Sequence, residues 1–100
     1  MKQNECGVEK TARIVGQKWT LLIIRDLCEG TKRFGELQRS LLGISPKTLA
    51  LRLNQLEKES IVKRRVFKEV PLHVEYSLTS KGESLKEVIE KMREWGEKSA

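Results

Sequence analysis

Histidine occurs once, at His73, and cysteine only twice, at Cys6 and Cys28. A lone histidine with no partner residue builds neither a metal centre nor a catalytic pair. No nucleophile–base constellation, phosphate-cradling glycine loop or metal-ligand spacing stands in for it. These absences argue against an enzyme and against a bound cofactor or metal. Two isolated cysteines make no disulfide framework. The apolar run "LLII" at 21–24 is far short of the roughly 20 residues that span a bilayer, and no secretory h-region precedes a cleavage site. The expectation is a soluble, cytosolic chain with no membrane attachment. Internal repeats and low-complexity segments are also absent.

Acidic residues are scarce in one place. Residues 31–68 hold ten Lys or Arg (32, 33, 39, 47, 52, 58, 63, 64, 65, 68) against three Glu (36, 57, 59), a local net charge of +7. Residues 1–30 come to +1 and residues 69–100 to −2, so the whole-chain excess of +6 belongs to the middle third. Clustering of this kind points to a polyanion, and to nucleic acid before other partners. Charged residues make up 34% of the 100 residues against about 25% in a typical domain. One domain this polar has reason to hide apolar surface in a partner subunit.

The apolar spacing predicts a short helix over 7–15, then a second over 18–29 that is apolar nearly all round and ends at Gly30. One side of that second helix, which carries Trp19, should meet the core and another a second subunit. Phe34, Leu37 and Leu41 give a third helix over 34–43. Ser45 as cap and Pro46 at the first helical position open a fourth, to about Glu59. The connection between the last two is too short for anything but a tight helix–turn–helix over 34–59. The period then changes: "VEYSL" alternates, "IVKRRVFK" is β-like in a less clear register, and "EVPL" joins them as a hairpin over 61–79. Thr79 or Ser80 caps a last helix over 80–98, striped by Leu85, Val88, Ile89, Met92 and Trp95, with Glu87–Lys91 and Glu94–Lys98 as i,i+4 pairs. The fold class is mainly α with a small β-hairpin: a winged helix–turn–helix with an extra element at each end, the first carrying Val8 and the last expected to be a dimerisation helix.

With Leu49, Leu53 and Leu56 buried, the fourth helix turns Lys47, Thr48, Leu51, Arg52 and Gln55 outward. Its first turn, with Ser45 and Lys47, suits a phosphate. Thr48, Leu51, Arg52 and Gln55 are placed for base edges, Leu51 against a thymine methyl, although an outward Leu is tolerable on any surface and Arg52 has a salt bridge as its alternative. Lys63, Arg65, Lys68 and His73 on the ribbon, with Arg33 and Arg39, suit phosphate or minor-groove contacts to double-stranded DNA. His73 is otherwise a plain surface residue. Cys6 is either a packing residue or a thiol sensor, and Cys28 a packing residue. A protein-docking winged helix is the other class of function that fits, but it needs no such concentration of basic residues.

"GQKWTLLIIRDL", "RFGELQRSLLGISPKTLALRLNQLEKESIVKR" and "EVPLHVEYSLTSKGESL" together resemble the HxlR-type transcriptional regulators, relatives of the MarR group. The resemblance covers Cys6 to Gly96. It implies a homodimeric repressor or activator on a palindromic operator, with the helix from Ser45 in the major groove and the wing beside it. Dimer contacts would come from the terminal helices. Some members sense oxidants or electrophiles through a cysteine near the position of Cys6, which implies an oxidant or small-molecule effector. The chain departs from the pattern at Gln17, where a second Gly is usual, and at Ala50, where a hydroxyl is.

Overall fold

The structure, a computed structural model, describes residues 5–100. Its elements are α1 (Gly7–Val15), α2 (Lys18–Leu27), β1 (Lys32–Arg33), α3 (Phe34–Ser40), α4 (Pro46–Lys58), β2 (Val62–Phe67), β3 (His73–Leu78), α5 (Ser80–Glu83) and α6 (Lys86–Ser99). α2 is the central element. Ile23, Ile24 and Leu27 on it join Leu37 and Leu41 from α3 and its end, and Leu49, Leu53 and Leu56 of α4, in one core. Ile61, Val62, Tyr76 and Leu78 close that core from the sheet side. Gln17, at the position of the missing glycine, is the N-cap of α2: its Oε1 accepts the Thr20 N–H at 3.0 Å.

Three expectations are corrected. The sheet has three strands rather than two, in the antiparallel order β1-β3-β2. Lys32 and Arg33 stand opposite Tyr76 and Glu75, so the wing is joined to the segment between α2 and α3. Two residues are too few to carry a period.

The last helix is broken. Thr79 caps the single turn α5, accepting the Gly82 N–H at 3.0 Å, and α6 starts afresh at Lys86. Inside α5 only glycine fits at position 82: a Cβ there would lie 2.2 Å from the Ile61 carbonyl oxygen. The ion pairs on α6 are also i,i+3, Arg93 to Glu90 at 3.3 Å and Lys91 to Glu94 at 3.5 Å, rather than the i,i+4 pairs of the sequence pattern.

The third correction concerns lengths. α2 ends at Leu27 and α3 at Ser40, each followed by a turn that reaches its glycine at positive φ, Gly30 at 138° and Gly43 at 92°. Leu41 is buried beyond the end of α3, while Leu42 in the turn is exposed.

No residue of α6 is fully buried. Leu85 and Ile89 rest on the core, whereas Val88, Met92 and Trp95 are exposed. The molecule measures 48 × 34 × 24 Å, with a radius of gyration of 14.5 Å against about 13 Å for a compact chain of this length. No helix among the described residues is long and apolar enough to cross a membrane.

Substituting Gly82 by Ala should destabilise the fold by about 1–3 kcal/mol through overpacking against backbone. Gly96→Ala, in the open space around α6, should instead stabilise by about 0.5–1 kcal/mol. Urea unfolding of the two variants checks the contrast.

Candidate nucleic-acid interface

The first turn of α4 is built as its composition requires. Ser45 Oγ accepts the Thr48 N–H at 3.1 Å and donates to Thr48 Oγ1 at 2.9 Å, with Pro46 at the first helical position. Leu49, Leu53 and Leu56 are each at most 1% exposed and fix the rotation of the helix about its axis. Lys47, Ala50, Leu51, Asn54 and Lys58 then form the outermost face. Leu51 is 50% exposed, as its spacing predicts.

Asn54 was not among the residues expected to face outward. Its signal was available: it lies three residues beyond Leu51 and four beyond Ala50, on the same helical face.

Thr48 is half-buried in the cap, and Gln55 is exposed. Arg52 departs from the outward placement. It is half-buried at the flank of the helix; its Nη1 donates to Gln55 Oε1 at 3.1 Å, and its Nε is buried without a partner. The angular reason is that residue 52 follows Leu49 by three and precedes Leu56 by four, so it borders the buried stripe.

The ribbon has two unlike faces. Arg64 pairs in register with Tyr76, and Val62 with Leu78, on the face turned toward the helices. Arg64 borders the same surface hollow as Lys47, Leu51 and Asn54, which makes it the wing cation nearest the outer face of α4. Strand alternation from Val62 could have assigned it. Lys63 and Arg65 lie on the opposite face, with Phe67, His73 and Glu75.

His73 there is not a plain surface residue. Its ring stacks on Phe67 at 4.6 Å between centroids, and its Nε2 and Nδ1 lie 3.2 and 3.6 Å from the carboxylates of Glu75 and Glu69. The Arg65 guanidinium covers the other ring of the pair, 4.8 Å from the Phe67 centroid. Glu75 also stands opposite both Arg65 and Arg33 across the strands, a favourable charge arrangement. Lys68 lies exposed in the wing loop, as do Arg33 on β1 and Arg39 in the last turn of α3. The loop tip carries exposed Val70 and Leu72 on either side of a cis Val70–Pro71 bond.

The two cysteines occupy different environments. Cys6 is exposed at the start of α1, where the Glu9 carboxylate accepts its backbone N–H at 3.3 Å. Its neighbour Glu5 is ion-paired with Arg13, whose guanidinium that pairing holds above its ordinary pKa. Burial pushes the Cys28 thiol up. Among the described residues, no group of three His, Cys, Asp or Glu could hold a metal ion.

Of the residues expected to meet a second subunit, Val8, Val88, Met92 and Trp95 are exposed. Trp19, Leu85 and Ile89 are half-buried against the chain's own core, with the Lys18 ammonium 4.9 Å from the Trp19 ring.

A capped helix with a basic outer face, preceded by a short helix and flanked by a basic ribbon, defines a winged helix–turn–helix protein. A family model, the HxlR-like helix-turn-helix, matches residues 14–100. The chain is 43% identical over 93 residues, 93% of its own length and 73% of the relative's, to YdeP of Bacillus subtilis (strain 168), an uncharacterized HTH-type transcriptional regulator. Among solved structures, a protein assigned to the MarR family of transcriptional regulators from Porphyromonas gingivalis W83 superposes with a TM-score of 0.92. It is 38% identical, and the match covers 100% of this chain and 98% of that one. The redox regulator HypR in its oxidized form gives a TM-score of 0.89 at 40% identity, covering 95% and 98% of the two chains. The chain belongs to the HxlR-like helix-turn-helix family of transcriptional regulators.

Proposed function

We propose that the protein is a homodimeric regulator that binds a palindromic DNA operator. α4 enters the major groove, and the wing lies along the neighbouring backbone. The observation that carries this reading is the outer face of α4. Lys47, Leu51, Asn54 and Lys58 are held outward by a fully buried leucine stripe, with Arg64 of the wing beside them. Asn pairs bidentately with adenine and an apolar side chain meets a thymine methyl, so Asn54 and Leu51 are the base readers. The Lys47 N–H, the one left open in a first turn that holds Pro46 and the Ser45–Thr48 cap, receives a phosphate with the Lys47 side chain. Arg52 and Gln55 lie beside this face and reach DNA only by leaving each other. Lys63, Arg65, Lys68, Arg33 and Arg39 supply sequence-independent attraction, and His73 positions Phe67 rather than meeting DNA directly.

The second copy covers Val88, Met92 and Trp95 on α6 together with Val8 on α1, the large apolar side chains left exposed on the two terminal helices. Two-fold symmetry then sets the half-sites about one helical turn, roughly 34 Å, apart. Cys6 is the oxidant- or electrophile-responsive group. Its exposure supports this, as does the likeness to HypR, and the pairing of Glu5 with Arg13 offsets the carboxylate beside it.

Selection of bound genomic fragments followed by footprinting tests the reading directly. A protein that selects no common sequence is not an operator-specific regulator. On the selected operator, Asn54→Ala should cost about 1–3 kcal/mol and relax the preference at one base position. Arg64→Ala should weaken all sequences alike and reduce the salt slope by about 1. Equal losses on operator and random DNA for Asn54→Ala would remove it as a base reader. Trp95→Glu should convert the dimer to a monomer in sedimentation without unfolding it. Mild diamide treatment should change operator binding in the wild type and leave Cys6→Ser unaffected; identical responses would exclude Cys6 as the sensor.

A further inference from the structure

Val70 is 102% exposed and Leu72 64%, one on each side of Pro71 at the tip of the wing. Single apolar residues scattered over a surface need no explanation, but a pair gathered at one loop tip is a patch. The ribbon that carries it segregates charge. One face holds Lys63, Arg65, Phe67, His73 and Glu75, and the Glu69 carboxylate turns to it, 3.6 Å from His73 Nδ1. The other face runs outward from Arg64 and Tyr76 to Val66 and Val74, and among the described strand residues none on it is acidic. It starts in the hollow that Arg64 shares with Lys47, Leu51 and Asn54, which Glu57 of α4 also borders. A cationic and apolar face continuous with the outer face of α4 fits a polyanion that also offers apolar surface, and duplex DNA does so through its sugars and base stack. Length decides how far the tip reaches. β2 has six residues, roughly 20 Å of ribbon at about 3.3 Å each. One turn of DNA is about 34 Å, so a minor groove lies about 17 Å from the centre of the major groove beside it. With α4 in the major groove, the ribbon crosses the intervening phosphates and sets its tip at the minor groove.

We propose that Val70 and Leu72 form a wedge that enters the minor groove beside each half-site, parts one base step and bends the duplex toward the major groove. Apolar side chains inserted in this way unstack the step and replace base stacking by their own contact. The wedge selects sequence without a hydrogen bond to any base: a pyrimidine–purine step opens readily, and a stiff A-tract resists. It rests on the DNA-binding reading above and adds to it two uncharged specificity-determining residues on the wing.

The experiment uses the intact protein and its selected operator. Aminopurine, a fluorescent adenine analogue quenched by stacking, is placed in turn at each position flanking a half-site, and a fluorophore pair at the duplex ends reads the bend. Binding should brighten aminopurine several-fold at one step per half-site and shorten the end-to-end distance. Replacing that step by an A-tract should weaken wild-type binding about fivefold or more, the scale of a mismatched base pair. The double variant Val70→Ser, Leu72→Ser, checked for a native amide spectrum, should lose the brightening, the bend and the step preference. Its salt slope should stay unchanged, because no phosphate contact is lost. Leu72→Met, which keeps an apolar side chain, should retain the brightening. A footprint with no bright position, or brightening kept in the double variant, would overturn the wedge and leave the operator reading standing. A reduced salt slope in the double variant would overturn it by making the tip a backbone contact. Unbent DNA with unchanged operator binding in that variant would assign the tip to a protein partner instead. Absence of any footprint is the separate failure of the operator reading, and the wedge falls with it.

Discussion

The packing of α4 against α2 is the constraint on which the rest depends. Leu49, Leu53 and Leu56 meet a core that contains Ile23, Ile24 and Leu27, and each of these six side chains is at most 2% exposed. Burial of such residues contributes roughly 1.5–3 kcal/mol apiece, which makes this seam the largest coherent source of stability in a chain of only 100 residues. The same seam sets the rotation of α4. A helix turned by one residue, about 100°, would present its leucines to water and bury Lys47 or Asn54. Stability and the choice of outer face are therefore one property. The core does not merely support the candidate interface; it determines which residues belong to it.

Electrostatics divides the surface into regions of different use. Among the described residues, Lys47 and Lys58 on the outer face of α4 and Arg64 beside it make no ion pair and keep their full reach toward a polyanion. On the far face of the ribbon, Glu75 lies opposite Arg65 and Arg33, and His73 lies between Glu69 and Glu75. Basic residues adjacent in the chain thus serve different ends, and the strand period decides which. Near α1 the pairing of Glu5 with Arg13 leaves Cys6 beside a compensated carboxylate.

Elements with a long, regular apolar period were legible in the sequence: α2, α4 and β3 appear where spacing places them, within the usual two residues at each end. The helix–turn–helix was legible because Gly43, Ser45 and Pro46 give its turn and cap within four positions. What escaped reading depends on contacts between distant segments. β1 is two residues long and exists only because β3 is there to receive it. The close approach of Gly82 in α5 to the Ile61 carbonyl crosses some twenty residues of chain and leaves no local trace except the glycine. At the candidate interface, Lys47 and Leu51 were legible from the heptad of leucines. Asn54 and Arg64 were within reach of the same periodicity. Arg52 was misplaced although its spacing, three after Leu49 and four before Leu56, sets it at the border of the buried stripe, along which an arginine can lie.

The short strand β1 has a mechanical meaning. A ribbon attached only at its base would behave as a hinged flap, free to adjust its pitch to whatever it touches. Here Lys32 and Arg33 stitch the middle of β3 to the segment that leads directly into α3. Rotating the ribbon must either tear that stitch or carry α3 with it. The pairing thus ties the base of the wing to α3, while the stretch beyond Glu75, toward Val70 and Pro71, lies outside it. Any change of pitch at the ribbon's base is therefore shared with the helix that precedes α4.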